Sequence, residues 1–265
     1  MSPTGNPIAR QPLIAFFVLA YAFTWWVYPL LRFNPMIGFL GLFGPALAAI
    51  VVTAVTDGRP GVRALLGRSV SWRVPVPWYV VAIGLPALLA LLAASLSAWL
   101  GPAVLQVGRL SVLDFVLVVL VLGEELGWRG YALPQLLQRF TPLVASLILG
   151  VLWCLWHLPL FFIAGTPQFR QPVVAFLIMT TAYSILLCWV FLHTRGSVLI
   201  ATVFHGSINV AQGFFLAGTA PEVRYWWLAL AYGGAAVALA VVLGPGLSRR
   251  STPAVTSPVR RHEAV

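Results

Sequence analysis

Apolar residues run along this chain in eight long blocks, at 13–31, 36–56, 78–100, 112–132, 143–164, 173–192, 198–216 and 226–243. A helix needs about 20 such residues to cross the hydrocarbon core of a bilayer, so each block predicts a transmembrane helix. The connections between blocks are short and leave no room for a soluble domain. The expected fold is all-α: a polytopic membrane protein, a bundle of about eight transmembrane helices. Residues 1–243 form a single integral membrane domain in this reading. The first block follows Arg10, but its apolar core is longer than that of a secretory signal and no small-x-small cleavage site closes it. It is read as a span. Residues 244–265, with Pro253, Pro258 and four arginines, are expected to form a disordered basic cytoplasmic tail.

A few polar side chains break this pattern, and they cluster. Glu124-Glu125-Leu126-Gly127-Trp128-Arg129 closes the fourth block, His157 interrupts the fifth, and His205-Gly206-Ser207-Ile208-Asn209 interrupts the seventh. An ionisable group at membrane depth is costly unless it is paired or reached by water, which makes each a functional-site candidate. Ser111 and Asp114 have the spacing of a capping box and start the fourth helix; Pro134 marks its end. Glu125 and Arg129 are four residues apart, share a face and are spaced to pair. Glu124 points about 100° away from Glu125, so the two carboxylates have different roles. His205 and Asn209 also share a face, and His205 lies about 10–13 Å from the cytoplasmic end of its helix, matching Glu124. His157 is deeper, about 20 Å in when counted from Leu143. Pro159 frees a carbonyl near Leu155 and predicts a kink, and Trp153 can pack on the His157 ring one turn away.

Composition strengthens the membrane reading. The chain is 60% hydrophobic and 8% charged, which is not a soluble-domain composition. All 16 basic residues are arginine, and the net charge of +10 sorts by loop rather than forming a nucleic-acid surface. Arg10, Arg59, Arg63, Arg68, Arg73, Arg139, Arg195 and the tail arginines 249, 250, 260 and 261 fall on one side of an eight-span arrangement; Arg32, Arg109, Arg170 and Arg224 fall on the other. Eleven against four, with Arg129 set aside as intramembrane, places both termini in the cytoplasm. Anionic lipids are the natural partners of these arginines, and no nucleic-acid partner is expected. The absence of lysine beside abundant alanine and arginine points to a bacterial plasma membrane. Cys154 and Cys188 fall within spans and read as packing residues.

Taken singly, most of the polar residues have ordinary explanations. Asn209 alone reads as a helix–helix hydrogen-bonding residue, and Glu125 with Arg129 as a structural ion pair. His193 reads as interfacial and Asp114 as a cap, and His262 lies in the tail. Glu124 has no cation left once Arg129 is taken. Glu124, His157, His205 and Asn209 together are harder to dismiss.

Glu-Glu-x-x-x-Arg at 124–129, aromatic-x-x-x-His at 153–157 and His-x-x-x-Asn at 205–209, in this order over about 112–212, resemble the CAAX-processing and bacteriocin-processing (CPBP, or Abi) intramembrane proteases. Trp153 stands where that family's pattern has phenylalanine, a change read here as conservative. The resemblance implies endopeptidase activity. Glu124 and His157 would activate a water, His205 and Asn209 would stabilise the oxyanion, and Glu125 with Arg129 would hold the first glutamate's helix. Amide hydrolysis needs such a base and such donors. Neither Ser207, which faces away from the His205–Asn209 stripe, nor Cys154, which lacks a base, suits a nucleophile's role.

No cofactor is favoured. If a metal is used, Glu124, His157 and His205 are the candidate ligands for zinc, although no His-Glu-x-x-His is present and asparagine is a poor zinc ligand. A non-catalytic immunity or scaffold protein of the same fold is the alternative outside enzymes. A proton-coupled transporter is disfavoured because the chain shows no repeat. The expected substrate is a membrane-associated peptide or protein.

Overall fold

The computed structural model describes residues 7–101 and 105–248, and its regular secondary structure over these residues is helical. The main helices are α1 (Pro12–Trp25), α2 (Gly44–Thr56), α3 (Gly58–Gly67), α4 (Val76–Leu100), α5 (Val112–Leu120), α6 (Leu122–Gly127), α7 (Leu133–Leu137), α8 (Pro142–His157), α9 (Val173–His193), α10 (Val198–Phe215) and α11 (Pro221–Leu243). Among the described residues, seven segments are long and apolar enough to cross a membrane, by length and composition: Pro12–Arg32, Gly38–Thr56, Val76–Leu100, Pro142–Phe162, Val173–His193, Val198–Phe215 and Val223–Leu243. Large apolar side chains such as Val18, Val80, Trp99 and Val241 are exposed on the outside of this bundle. A surface of that kind belongs against lipid. The protein is a polytopic membrane bundle.

The fourth apolar block departs from its expected form. Its capping box is present, with the Asp114 carboxylate accepting from both the Ser111 backbone N–H and the Ser111 hydroxyl. The helix that follows is not continuous over 112–132. It stops at Leu120, restarts as the short α6, widens into a π-helical turn over Trp128–Ala132, and continues as α7. Pro134 supplies a reason for the wide turn. It has no N–H to give the carbonyl of Gly130 four residues earlier, and its ring crowds that carbonyl.

A second point concerns Pro159. Its effect is a change of pitch: the α-helical part of the segment ends at His157, and a 3-10 turn over Leu158–Phe162 continues it. The Leu155 carbonyl near this proline accepts from the Leu158 N–H in the tighter turn. At the C-terminal end, Leu247 is fully buried and the Pro245 carbonyl accepts from the Leu143 N–H at 3.0 Å, so packing extends into the segment read as tail. Residues 249–265, including the arginines 249, 250, 260 and 261 and His262, lie outside the described residues.

The packing order brings the three polar segments together. Helix α6 lies against α2 and α10, α8 against α9, and α10 against α4, α5 and α9. Two glycines permit the closest approaches beside the polar residues. A Cβ at Gly127 would fall 2.6 Å from the Pro45 carbonyl carbon on α2, and one at Gly206 would fall 2.9 Å from the Val118 Cα on α5. Any larger residue would push α6 or α10 away from its neighbour.

Candidate active site

Helix α6 presents its two glutamates in different directions, as their spacing predicts. Glu125 and Arg129 are fully buried and form an ion pair, with Nη1 donating to Oε1 at 2.8 Å. The same Oε1 lies 2.9 Å from Nδ1 of His205 on α10. A carboxylate accepts, so Nδ1 carries the proton and Nε2 is the free nitrogen of that ring. Glu125 therefore bridges its own helix to α10. Oε2 of Glu125 and Nε and Nη2 of Arg129 have no hydrogen-bond partner among the described residues. Arg129 gains a second stabilising contact, its Cζ lying 4.7 Å from the centre of the Trp153 ring. A desolvated cation over an indole face contributes about 2 kcal/mol.

Glu124, also buried, turns toward α8. Its Oε2 accepts from the Trp153 indole N–H at 2.9 Å. Helix α8 also carries His157, whose Nδ1 donates to the Trp153 carbonyl at 2.9 Å. Its Nε2 is thereby left as the nitrogen able to receive a proton or hold a water. Trp153 stands at the centre of the group. Its ring centroid is 5.0 Å from that of His205 and 6.0 Å from that of His157. The ring of His157 is wedged further against Trp156 at 4.6 Å and Phe176 at 5.2 Å.

The structure thus gathers Glu124, His157 and His205 around one indole, with Glu125 and Arg129 immediately behind. Asn209 is placed differently. It lies one turn beyond His205 on α10, but it is exposed and makes no side-chain hydrogen bond to the other three. His193 ends α9 with Nδ1 on the Trp189 carbonyl and its ring on Trp78 at 5.2 Å, away from this group. Cys154 and Cys188 are free and buried.

Two functional contacts escaped the sequence reading. One is the Glu125–His205 bridge, for which no sequence spacing exists. The other is Trp153, read as a conservative stand-in for phenylalanine; its N–H makes a bond to Glu124 that a phenylalanine cannot make. The signal that could have found it is the indole itself, since a buried indole N–H seeks a partner.

The fit of a metal can be tested on the donors themselves. Among the described residues no group of three His, Cys, Asp or Glu side chains is arranged to hold an ion. The bonds of Nδ1 of His205 to Glu125 and of Oε2 of Glu124 to Trp153 leave Nε2 and Oε1 free, so it is the spacing of the side chains and not these bonds that decides the fit. Glu124, His157 and His205 do not form a three-ligand zinc site in this arrangement.

A cleft of about 650 Å³ opens beside the end of α8, lined by Trp25, Tyr28, Arg32, Pro159, Phe162 and others. Pro159 is two residues beyond His157. None of Glu124, His157, His205 or Asn209 lines the cleft directly.

Residues 106–211 match the Rce1-like family of type II CAAX prenyl endopeptidases, and every residue named in the site falls within that match. Over 104 residues the chain is 36% identical to CAAX prenyl protease 2 of Methanococcus maripaludis, a match that covers 37% of this chain and 38% of that protein. The matching stretch thus spans little more than a third of the curated relative. The similarity to the Rce1-like CAAX endopeptidases is thus confined to this stretch, which carries the whole polar group.

Proposed function

We propose that the chain is an intramembrane endopeptidase of CAAX type, hydrolysing a peptide bond of a membrane-associated peptide or protein. The observation that carries the reading is the grouping of Glu124, His157 and His205 around Trp153, inside a segment otherwise built for lipid.

The chemistry follows from which atoms are free. Oε2 of Glu124 is held by the indole, leaving Oε1 as the oxygen that can take a proton from water. His157, with Nδ1 anchored on a carbonyl, offers Nε2 to the same water and orients its lone pair. The water oxygen bonds to the scissile carbonyl carbon as its proton passes to Glu124, and the carbonyl oxygen takes the negative charge. His205, its ring held at Nδ1 by Glu125, would face that oxygen with Nε2 and donate to it when the ring carries both protons. Asn209, one turn along α10, supplies a second donor once substrate occupies the space it now faces. The C–N bond then breaks, and the proton held by Glu124 passes to the leaving amine. Glu125 and Arg129 act through His205 and the helix rather than on substrate.

Wild-type protein in nanodiscs, given a prenylated CAAX peptide and separately a set of membrane-anchored precursor peptides, should release a new amino terminus from at least one. Glu124→Gln, which keeps the shape and removes the base, should release none while remaining folded. Cleavage by Glu124→Gln at the wild-type rate would overturn the assignment.

A further inference from the structure

The loop after α3 reaches into the bundle at the point where the fourth segment is irregular. Pro134 cannot serve the Gly130 carbonyl, and the chain widens there into the π-helical turn. The Gly130 carbonyl accepts instead from Nη1 of Arg68 at 2.9 Å. Arg68 is half-buried and begins the 3-10 turn Arg68–Val70. Just beyond that turn, the Ser71 carbonyl accepts from the Ser197 hydroxyl at 2.7 Å. Ser197 is the N-cap of α10, its hydroxyl oxygen also accepting from the Ile200 N–H. Gly130 itself is pressed between the two partners, since a Cβ there would meet Leu65 of α3 at 3.1 Å and Val198 of α10 at 3.4 Å. One four-residue loop therefore grips the segment carrying Glu124, Glu125 and Arg129 at one end and the helix carrying His205 and Asn209 at the other.

We propose that Arg68 is a positioning residue for the Glu125–His205 pair: by tying the π-helical turn to the loop that holds the Ser197 cap of α10, it sets the 2.9 Å contact between the two side chains. The rigid guanidinium fork suits this task, because it fixes the direction of its bond as well as its length, which a rotatable ammonium does not. The consequence for catalysis rests on the reading of His205 as an active-site group; the geometric claim does not.

The chain has four histidines, so ¹⁵N-histidine labelling of the full-length protein in detergent micelles gives a spectrum simple enough to assign by single His→Gln changes at 157, 193 and 262. In Arg68→Ala the His205 signals should shift or broaden, with those of His157 and His193 unmoved. Arg68→Ala combined with Pro134→Ala restores an N–H four residues after Gly130, so the carbonyl is served by the helix itself. That double variant should recover folded yield while His205 remains displaced. On whichever probe peptide the wild-type protein cleaves, kcat should fall about 10- to 100-fold with KM within about twofold. A wild-type His205 signal and kcat in the double variant would overturn the proposal, reducing Arg68 to a carbonyl partner. Should neither alanine variant fold, Arg68→Lys decides: displaced His205 signals support the clamp, and wild-type signals overturn it. Failure of the wild-type protein to cleave any peptide would count against the proposed activity and leave the spectroscopic result standing.

Discussion

Replacing Trp153 with phenylalanine isolates a single bond. The ring that faces Arg129, His157 and His205 is retained in part, and the backbone carbonyl that anchors His157 is untouched. What disappears is the 2.9 Å bond from the indole N–H to Oε2 of Glu124. A hydrogen bond to a charged group contributes about 1.5–3 kcal/mol. The weaker attraction of Arg129 to a benzene ring adds about 0.5–1 kcal/mol, for a total loss of roughly 2–4 kcal/mol. Titration with SDS in mixed micelles measures this directly, and a double-mutant cycle with Glu124→Ala, which removes the acceptor, separates the bond from the smaller ring. The two changes should be non-additive by about 1 kcal/mol or more, against the roughly 0.5 kcal/mol scatter of independent sites. If the bond also holds the base in the transition state, its own share of about 1.5–3 kcal/mol corresponds to a loss of about 10- to 150-fold in kcat. Additive changes in stability together with an unaltered rate would refute the view of Trp153 as the holder of Glu124 and restore it to a simple packing residue.

Other outcomes follow from the same geometry. Glu125→Ala or Arg129→Ala alone should cost about 3–5 kcal/mol by stranding a buried charge, and replacing both with neutral residues should recover part of the folded yield; intact yield in either single variant would show that the pair is not structural. His157→Ala should abolish cleavage as Glu124→Gln does, whereas Asn209→Ala should reduce the rate by about 10²–10³, the usual loss for one oxyanion donor; wild-type turnover in Asn209→Ala would remove that residue from the site. Exhaustive chelation followed by dialysis should leave cleavage intact, and activity lost to chelation and restored by zinc would require a rearranged Glu124, His157 and His205. Reporter fusions after Arg68 and Arg250 should report cytoplasm and fusions near Arg109 and Arg170 the opposite face; an extracytoplasmic signal after Arg68 would overturn the charge-based orientation.

What could be read from the sequence was governed by distance along the chain. The capping box of Ser111 and Asp114 and the pairing of Glu125 with Arg129 depend on residues three or four apart, where helix geometry alone sets the contact. The membrane bundle was equally legible, because length and apolarity suffice. The break in the fourth segment was not. Pro134 was read as a terminus, but its effect is felt four residues upstream at Gly130, and the chain continues as α7 after the wide turn. At Pro159 the segment continues, but with the tighter 3-10 pitch that the expected kink did not specify.

The contacts between helices were invisible for a different reason. Glu125 and His205 are 80 residues apart, and Trp153 and Glu124 are 29 apart. Whether such groups meet depends on how each helix is rotated and how far it slides, quantities set by small residues such as Gly127 and Gly206 where backbones touch. The physics of lipid guarantees that a buried glutamate seeks a partner, and so the sequence can announce that a partner exists without saying which one. Asn209 makes the same point from the other side. Its spacing places it one turn from His205, but it is exposed and makes no bond to the group, so spacing alone does not bring it into the cluster. Glu124, by contrast, is already held by Trp153, so a ligand need not order it. On the proposed mechanism the base would be built in advance and the second oxyanion donor completed on binding, which is why loss of Asn209 should be the milder of the two.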